Sequence, residues 1–313
     1  MRYRQLGDTG IQVSVVALGT WAFGGLDWGR VFDADSIKAV RRSLDLGVTL
    51  IDTAPIYGNG RAEEVLGVAL EGVRAGVVVA TKCGPQEVRP GMVRMDLSRE
   101  GIRSQCIESL RRLKTDWIDL LQVHWSDPAW PVEDAIVALQ ELRQEGLIRA
   151  FGVSNYSADE ITRALSVGKV DSLQPPYNLF RREIEESVLP LCRENNIGVI
   201  AYEPLARGLL TGKFDEKAKF EPGDVRARDR RFRHENLPRY LQAVRRVAMI
   251  AHREGMTPAQ AAIAWVLAQP GITSAICGAK TATQVVENAR AADLEPDGDT
   301  LARLTAVSLP DMV

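Results

Sequence analysis

The stretch Leu50-Ile51-Asp52-Thr53-Ala54-Pro55-Ile56-Tyr57-Gly58 leaves a short apolar strand and then sets a carboxylate and a phenol five residues apart. Two later apolar runs end in the same fashion. Val77-Val78-Val79-Ala80-Thr81 leads into Lys82, and Ile118-Asp119-Leu120-Leu121-Gln122-Val123 leads into His124. An acid, a phenol, an ammonium and an imidazole thus sit at the ends of three strands. Taken singly, each has an ordinary structural explanation, as a turn cap, a loop, a surface pair or a satisfied strand-end histidine. Together they are chemically complementary.

Working outward, the chain alternates apolar strands with amphipathic helical segments. A hairpin is predicted over 3–6 and 11–15 around the turn Gly7-Asp8-Thr9-Gly10. Asp33 or Asp35 is placed to cap a first helix with Ile37, Val40 and Leu44 on one face and Gly47 at its end. Ser98 opens a helix carrying Ile102, Cys106, Leu110 and Leu113, and Pro131 suits the first turn of one carrying Ile136, Leu139 and Leu142 and closed by Gly146. Strands are predicted at 15–18, 49–51, 77–81, 118–123, 148–153, 170–173, 199–201 and 273–276. Eight parallel strands close a (β/α)8 TIM barrel. Their C-terminal ends carry Thr20, Asp52, Lys82, His124, Asn155, Gln174, Tyr202 and Lys280, on the rim where such folds build their sites. An open doubly wound sheet is the competing architecture, but no G-x-G-x-x-G follows the first strand, and Gly24-Gly25 does not replace it. The connection from Glu203 into the 230s is far longer than usual and rich in Gly, Pro and charge, which marks it as functional or mobile rather than as a boundary. Residues 1–313 are expected to form one barrel domain with an N-terminal β-hairpin.

Lys plus Arg number 39 against 41 Asp plus Glu, a net charge of −2. That balance gives no reason to expect nucleic acid or an anionic membrane as partner, and a small molecule is the expected ligand. The basic run from Arg226 to Arg233 reads as a solvated loop. Cys83, Cys106, Cys192 and Cys277 have neither disulfide nor metal spacing, and the three histidines form no H-E-x-x-H, so reduced thiols and no metal are expected. No run is long and apolar enough to cross a bilayer, and no leader is apparent, so a cytoplasmic location is expected. His234 and His252 read as surface residues, and Trp117 and Trp265 as packing. Trp21, Trp28, Trp125 and Trp130 flank the ends of the first and fourth strands, where Trp21 and Trp125 are the better candidates for walls of a substrate pocket.

Reduction of a carbonyl by hydride builds negative charge on its oxygen, and a proton must reach that oxygen from a donor in hydrogen-bond range. Tyr57 suits the donor. A free phenol has a pKa of about 10, so a neighbouring cation is needed to ease proton exchange near neutrality, and Lys82 can supply it. Asp52 would keep Lys82 charged and oriented, and His124 would donate a hydrogen bond to the substrate oxygen.

These residues resemble the tetrad of the aldo-keto reductase superfamily, NAD(P)(H)-dependent (β/α)8-barrel enzymes. Gly19-Thr20-Trp21, Asp52-Thr53-Ala54-x-x-Tyr57-Gly58, Thr81-Lys82, His124, Gly152-Val153-Ser154-Asn155 and Gln174-x-x-Tyr177-Asn178 match its motifs in order. The resemblance implies Asp52, Tyr57, Lys82 and His124 as the catalytic set, with Tyr57 the general acid in reduction. It implies Tyr57 and His124 at the substrate, beside the walls that Trp21 and Trp125 are expected to form from their places at the strand ends. Thr20 and Trp21 are implied among the cofactor contacts, with Ser154, Asn155 and Gln174 at the nicotinamide carboxamide and Tyr202 stacked on the ring. The segment Tyr202-Glu203-Pro204-Leu205-Ala206-Arg207-Gly208-Leu209-Leu210-Thr211-Gly212-Lys213 resembles the bacterial branch of glycerol dehydrogenase-like and stress-protein members, where the long loop covers the pyrophosphate. Pro204, Leu205 and Gly208 belong to that cover, with Arg207, Lys213 and Arg226 as phosphate contacts. Gly278-Ala279-Lys280 and Gln284-x-x-Glu287-Asn288 resemble the adenosine-phosphate site, with Glu287 and Asn288 at the adenine. The chain departs from better-known branches, which carry Lys-Ser at Gly278-Ala279 and Arg at Gln284. Lys280, at a helix start, is left as the anion contact. The resemblance implies NADP(H) as preferred cofactor with NAD(H) also possible, and aldehydes, ketones, sugars or polyols as substrates. A competing expectation is a cofactor-loaded regulatory module like the channel-associated β subunits that share this fold. A sugar-phosphate isomerase or aldolase on the same barrel is a second rival, disfavoured by the Tyr, Lys and Asp set. The ending Leu309-Pro310-Asp311-Met312-Val313 suggests a short terminal loop and an open site.

Overall fold

The computed structural model describes residues 1–25, 27–89 and 91–307. The predicted hairpin is present as β1 (Tyr3–Gln5) against β2 (Gln12–Ser14). Strands and helices then alternate through β3 (Val16–Gly19), α1 (Asp33–Asp45), β4 (Leu50–Asp52), α2 (Arg61–Ala69) and β5 (Val78–Cys83). A second hairpin, β6 (Pro85–Arg89) and β7 (Met92–Met95), precedes α3 (Arg99–Leu113), β8 (Ile118–Val123), α4 (Val132–Gln144), β9 (Ile148–Ser154), α5 (Ala158–Val167) and β10 (Ser172–Gln174). The chain continues with α6 (Val188–Glu194), β11 (Gly198–Ala201), α7 (Leu237–Arg253), α8 (Pro258–Ala268), β12 (Ile272–Gly278), α9 (Ala282–Arg290) and α10 (Gly298–Val307). The strands β3, β4, β5, β8, β9, β10, β11 and β12 close a parallel barrel, and each lies within two residues of its predicted position.

Side chains on these strands alternate between two cores. Val16, Ile51, Val79, Leu121, Phe151, Leu173 and Val199 face outward and pack with Leu66, Ile102, Leu139, Ile161, Val247 and Ile263 of the helices. Ala17, Leu50, Ala80, Leu120, Ala150, Ile200 and Ile276 point inward, and Leu6, Ile11 and Val13 of the first hairpin join them. That hairpin sits at the N-terminal strand ends, where Gly7 is so close to Asp171 O and Asn196 O that a Cβ would lie 2.7 Å from each. The alternation that turns Leu50, Ala80 and Leu120 inward also turns Asp52, Lys82 and Gln122, two residues on, into the interior at the opposite end.

Some local expectations change. Ser98 does cap α3, accepting from Gly101 N at 3.0 Å. Neither Asp33 nor Asp35 caps α1, because the helix begins at Asp33 and both acids fall in its first turn, where they favour the helix dipole. Pro131 is the N-cap of α4, one residue outside it. Trp117 lies just before β8, its ring under the Arg74 guanidinium at 4.8 Å. The β6–β7 hairpin was not anticipated. Residues 309–313, and the expectation of an open site drawn from them, lie outside the described residues. Among the described residues no helix is long and apolar enough to cross a membrane.

Candidate active site

Three of the four converging side chains come directly from strand ends. Asp52 closes β4, Lys82 lies near the end of β5 and His124 follows β8. Tyr57 comes from the turn between β4 and α2, whose shape depends on Gly58. At φ +64° this residue is pressed on Gly24, and a Cβ there would lie 2.4 Å from Gly24 O. Lys82 Nζ donates to Asp52 Oδ1 at 2.9 Å, Asp52 Oδ2 at 2.8 Å and Thr53 O at 2.8 Å, and lies 3.4 Å from Tyr57 OH. Lys82 is 1% and Asp52 4% exposed, so the ion pair is sealed from bulk water. Gln174 Nε2 adds a donor to Asp52 Oδ2 at 2.8 Å and reaches Gln122 Oε1 at 2.9 Å.

Burial lowers the Lys82 pKa while Asp52 opposes that fall. His124 is pushed well below its ordinary value by burial and by the Lys82 charge, so its imidazole is neutral. The Tyr57 hydroxyl is held well above its ordinary value, first by burial and then by Asp52 and Tyr202. The Lys82 ammonium beside it is engaged at short range by both Asp52 oxygens.

Aromatic rings surround this point. Trp21 stacks on Tyr57 with centroids 6.1 Å apart, meets Trp28 edge-on at 5.3 Å and donates from Nε1 to Asp27 Oδ2 at 2.9 Å. Trp125 lies flat on His124 at 3.8 Å and is 42% exposed. Trp130 packs on the helical core instead. Thr20 Oγ1, Thr53 Oγ1 and His124 Nδ1 are buried with no hydrogen-bond partner among the described residues.

Beside the tetrad, four predicted residues are joined to one another. Asn155, at φ +62°, donates to His124 O and Ser154 Oγ, both at 3.0 Å, and accepts from Tyr202 OH at 2.8 Å. Ser154 Oγ donates to Gln174 O at 2.8 Å. Farther along the rim Lys213, Arg226 and Lys280 gather. Burial, then mutual repulsion led by Arg226, lowers both lysine pKa values. Such a cluster is short of negative charge, and the phosphates of a dinucleotide would supply it. Arg226 pairs with Asp224 and lies over the rings of Phe220 at 4.6 Å and Trp28 at 5.3 Å, while Lys280 Nζ donates to Trp28 O. Gln284 Oε1 accepts from Lys280 N at 2.7 Å, and Asn288 Nδ2 donates to Gly278 O at 3.4 Å. Gly208, at φ +87°, leaves room for Lys213, whose Nζ would be 3.5 Å from a Cβ there. Pro204 is buried and Leu205 packs on the core. Arg207 is drawn to Glu203 at 2.7 Å and Asp229 at 3.3 Å instead of joining the three cations. Arg231 binds the same two acids at 3.2 and 2.6 Å, so the long loop is fastened across its base. Val225 N donates to Asp27 O at 2.8 Å, so the loop also reaches across the rim.

Sequence reasoning did not single out Gln122, Asp27 or the Glu203, Asp229 and Arg231 group. It also missed Glu63, although Glu63 shares a helical stripe with Leu66 and Leu70, a position where a carboxylate needs a partner. Among the described residues no group of three or more His, Cys, Asp or Glu side chains is arranged to hold a metal ion.

The sequence profile of the Aldo/keto reductase family matches residues 15–308. The chain is 43% identical to the aldo-keto reductase YhdN of Bacillus subtilis (strain 168) over 91% of its own length and 87% of the relative's. It is 37% identical to the NADH-specific methylglyoxal reductase of Escherichia coli (strain K12), with 99% of each chain covered. The solved structure of a glycerol dehydrogenase from Gluconobacter oxydans superposes with a TM-score of 0.91 at 36% identity, covering 99% of this chain and 97% of that one.

Proposed function

The chain belongs to the aldo/keto reductase family and is an NAD(P)H-dependent oxidoreductase, and on that premise we propose that Tyr57 carries the proton in reversible reduction of aldehydes and ketones. The observation that carries this reading is the Tyr57 hydroxyl 3.4 Å from Lys82 Nζ, with the ammonium fixed by both Asp52 oxygens. A nicotinamide cofactor, when bound, would supply the hydride. As charge gathers on the carbonyl oxygen, Tyr57 gives up its proton to it, and Lys82 steadies the phenolate left behind. Neutral His124 donates an N–H to the same oxygen, and Trp21 and Trp125 bound the substrate from two sides. In oxidation Tyr57 takes the proton back.

Ser154, Asn155, Gln174 and Tyr202 are assigned to the nicotinamide end, with Thr20 and its unpartnered hydroxyl beside it. Lys213, Arg226 and Lys280 are assigned to the phosphates and Glu287 and Asn288 to the adenine. NADPH is the preferred form in this reading, because Lys280 stands in an excess of positive charge that a 2′-phosphate would relieve. The NADH-specific relative keeps NADH as the counter-case. The names of the relatives favour small oxygenated carbonyls or polyols as substrates. One barrel domain over the whole chain and a cytoplasmic location belong to the same proposal, the second supported by four free, buried cysteines.

The test follows the absorbance of reduced nicotinamide with a panel of small aldehydes and ketones. Tyr57→Phe should lose about 10²–10⁴-fold in kcat with cofactor affinity nearly unchanged, since it removes one proton and little surface. Parental turnover in that variant would remove Tyr57 as the acid. A parent that binds cofactor but turns over nothing would favour the regulatory-module reading.

A further inference from the structure

We propose that Glu63, buried between Thr81 and Arg112, is a positioning residue that sets the separation of Tyr57 and Lys82; the inference rests on the tetrad reading above. Glu63 has no exposed surface. Its Oε1 accepts from Thr81 Oγ1 at 2.6 Å and its Oε2 from Arg112 Nε at 2.6 Å. A buried ion pair contributes little net stability compared with apolar packing of the same volume, so stability alone is a weak reason for this carboxylate.

The attachments of Glu63 lead to both partners of the proposed proton transfer. Thr81 precedes Lys82 on β5, and strand alternation sends the Thr81 hydroxyl outward to α2 while Lys82 points into the barrel. Glu63 itself stands in the first turn of α2, directly after the turn that carries Tyr57. Ala62 N donates to Tyr57 O at 3.2 Å, and Gly60 N to Pro55 O at 2.6 Å, so that turn and the helix start move together. Arg112, from α3, supports the turn from outside. At Gly60, φ +93°, a Cβ would lie 2.6 Å from Arg112 Cδ. The far side is blocked by Gly24 against Gly58. Of the Lys82 contacts, that to Tyr57 is the longest, so its length follows from how the turn is braced rather than from the lysine.

Charge acts in the same direction. Lys82 faces Asp52, Tyr57 and His124, and Glu63 stands behind with Arg112, Glu108 and Cys106 around it. Glu63 helps Lys82 keep its proton.

The test uses the full-length enzyme with cofactor and an active aldehyde. Thr81→Val keeps the shape of the strand residue and deletes the hydroxyl, while Glu63→Gln keeps the shape and deletes the charge. Each should lower kcat about tenfold or more with both KM values within about twofold, the pattern of a misplaced reacting group. Thr81→Ser should restore most of the loss. In Glu63→Gln the alkaline limb of the kcat profile should move to lower pH, because one influence holding Lys82 protonated is gone. Unchanged kcat in both variants, a loss confined to KM, or no recovery in Thr81→Ser would overturn the proposal. Should Glu63→Gln not fold, Thr81→Val and its serine partner decide alone. Tyr57→Phe is measured alongside. If it retains turnover, the assignment of Tyr57 falls first, whereas an inactive Tyr57→Phe beside fully active Thr81→Val and Glu63→Gln refutes the brace only.

Discussion

Asp52→Asn should destabilise the fold by about 3–5 kcal/mol near neutrality, the usual cost of removing one partner from a buried ion pair. Lys82 Nζ touches both Asp52 oxygens, and Gln174 Nε2 donates to one of them. An asparagine offers one oxygen in place of two, so an amide N–H must face either the ammonium or the Gln174 amide, and one donor is left opposed by another. The Lys82 pKa already lies below its ordinary 10.5 because burial outweighs the pull of Asp52, and without the carboxylate it falls further. Between that lowered value and 10.5 the unfolded chain holds a proton that the folded chain gives up, so stability rises with pH across the window. The deficit of the variant should therefore shrink as pH climbs. Urea unfolding at about pH 7 and about pH 9.5 measures it, with the midpoint difference from the parent smaller at the higher pH. Adding Lys82→Met should recover part of the loss near neutrality, since the unpaired charge is gone. A single variant as stable as the parent, or a deficit that does not change with pH, would refute the reasoning.

Lys280→Ala should weaken NADPH by roughly tenfold and NADH much less, as read by fluorescence titration of each cofactor; equal losses would separate Lys280 from the 2′-phosphate. His124, held well below 6.5, gives the unfolded chain the first proton as pH drops, so stability falls through that region. His124→Gln should lose less stability than the parent between about pH 6.5 and 5, measured by urea midpoints. A His124 ring that titrates near 6.5 in the folded protein would contradict its burial beside Lys82.

The barrel was legible because each apolar run of β4, β5 and β8 ends in a polar residue, and inward alternation then places Asp52, Lys82 and Gln122 on one rim, with His124 two residues beyond Gln122. What stayed hidden depends on meetings between distant segments. The hairpin of β6 and β7 is mostly exposed on its strands and gave no apolar run, although Pro90-Gly91 was a turn signal in plain view. The direction in which the Tyr57 pKa moves could not be read from a nearby lysine, because burial first, and then Asp52 and Tyr202 from distant segments, push it up. Arg207 was expected at a phosphate from its place in the loop, yet Glu203 and Asp229, one of them 22 residues on in sequence, bind it.

The fastening of Glu203, Arg207, Asp229 and Arg231 has a consequence for how the enzyme can diversify. With its stem closed by ion pairs, the excursion between these residues is a tethered insert whose extension costs only about 0.6 kcal/mol for each doubling of length. The largely exposed stretch 215–223, between Lys213 and Arg226, can thus be lengthened, trimmed or exchanged among descendants, while the barrel floor and the turn that carries Tyr57 are inherited intact.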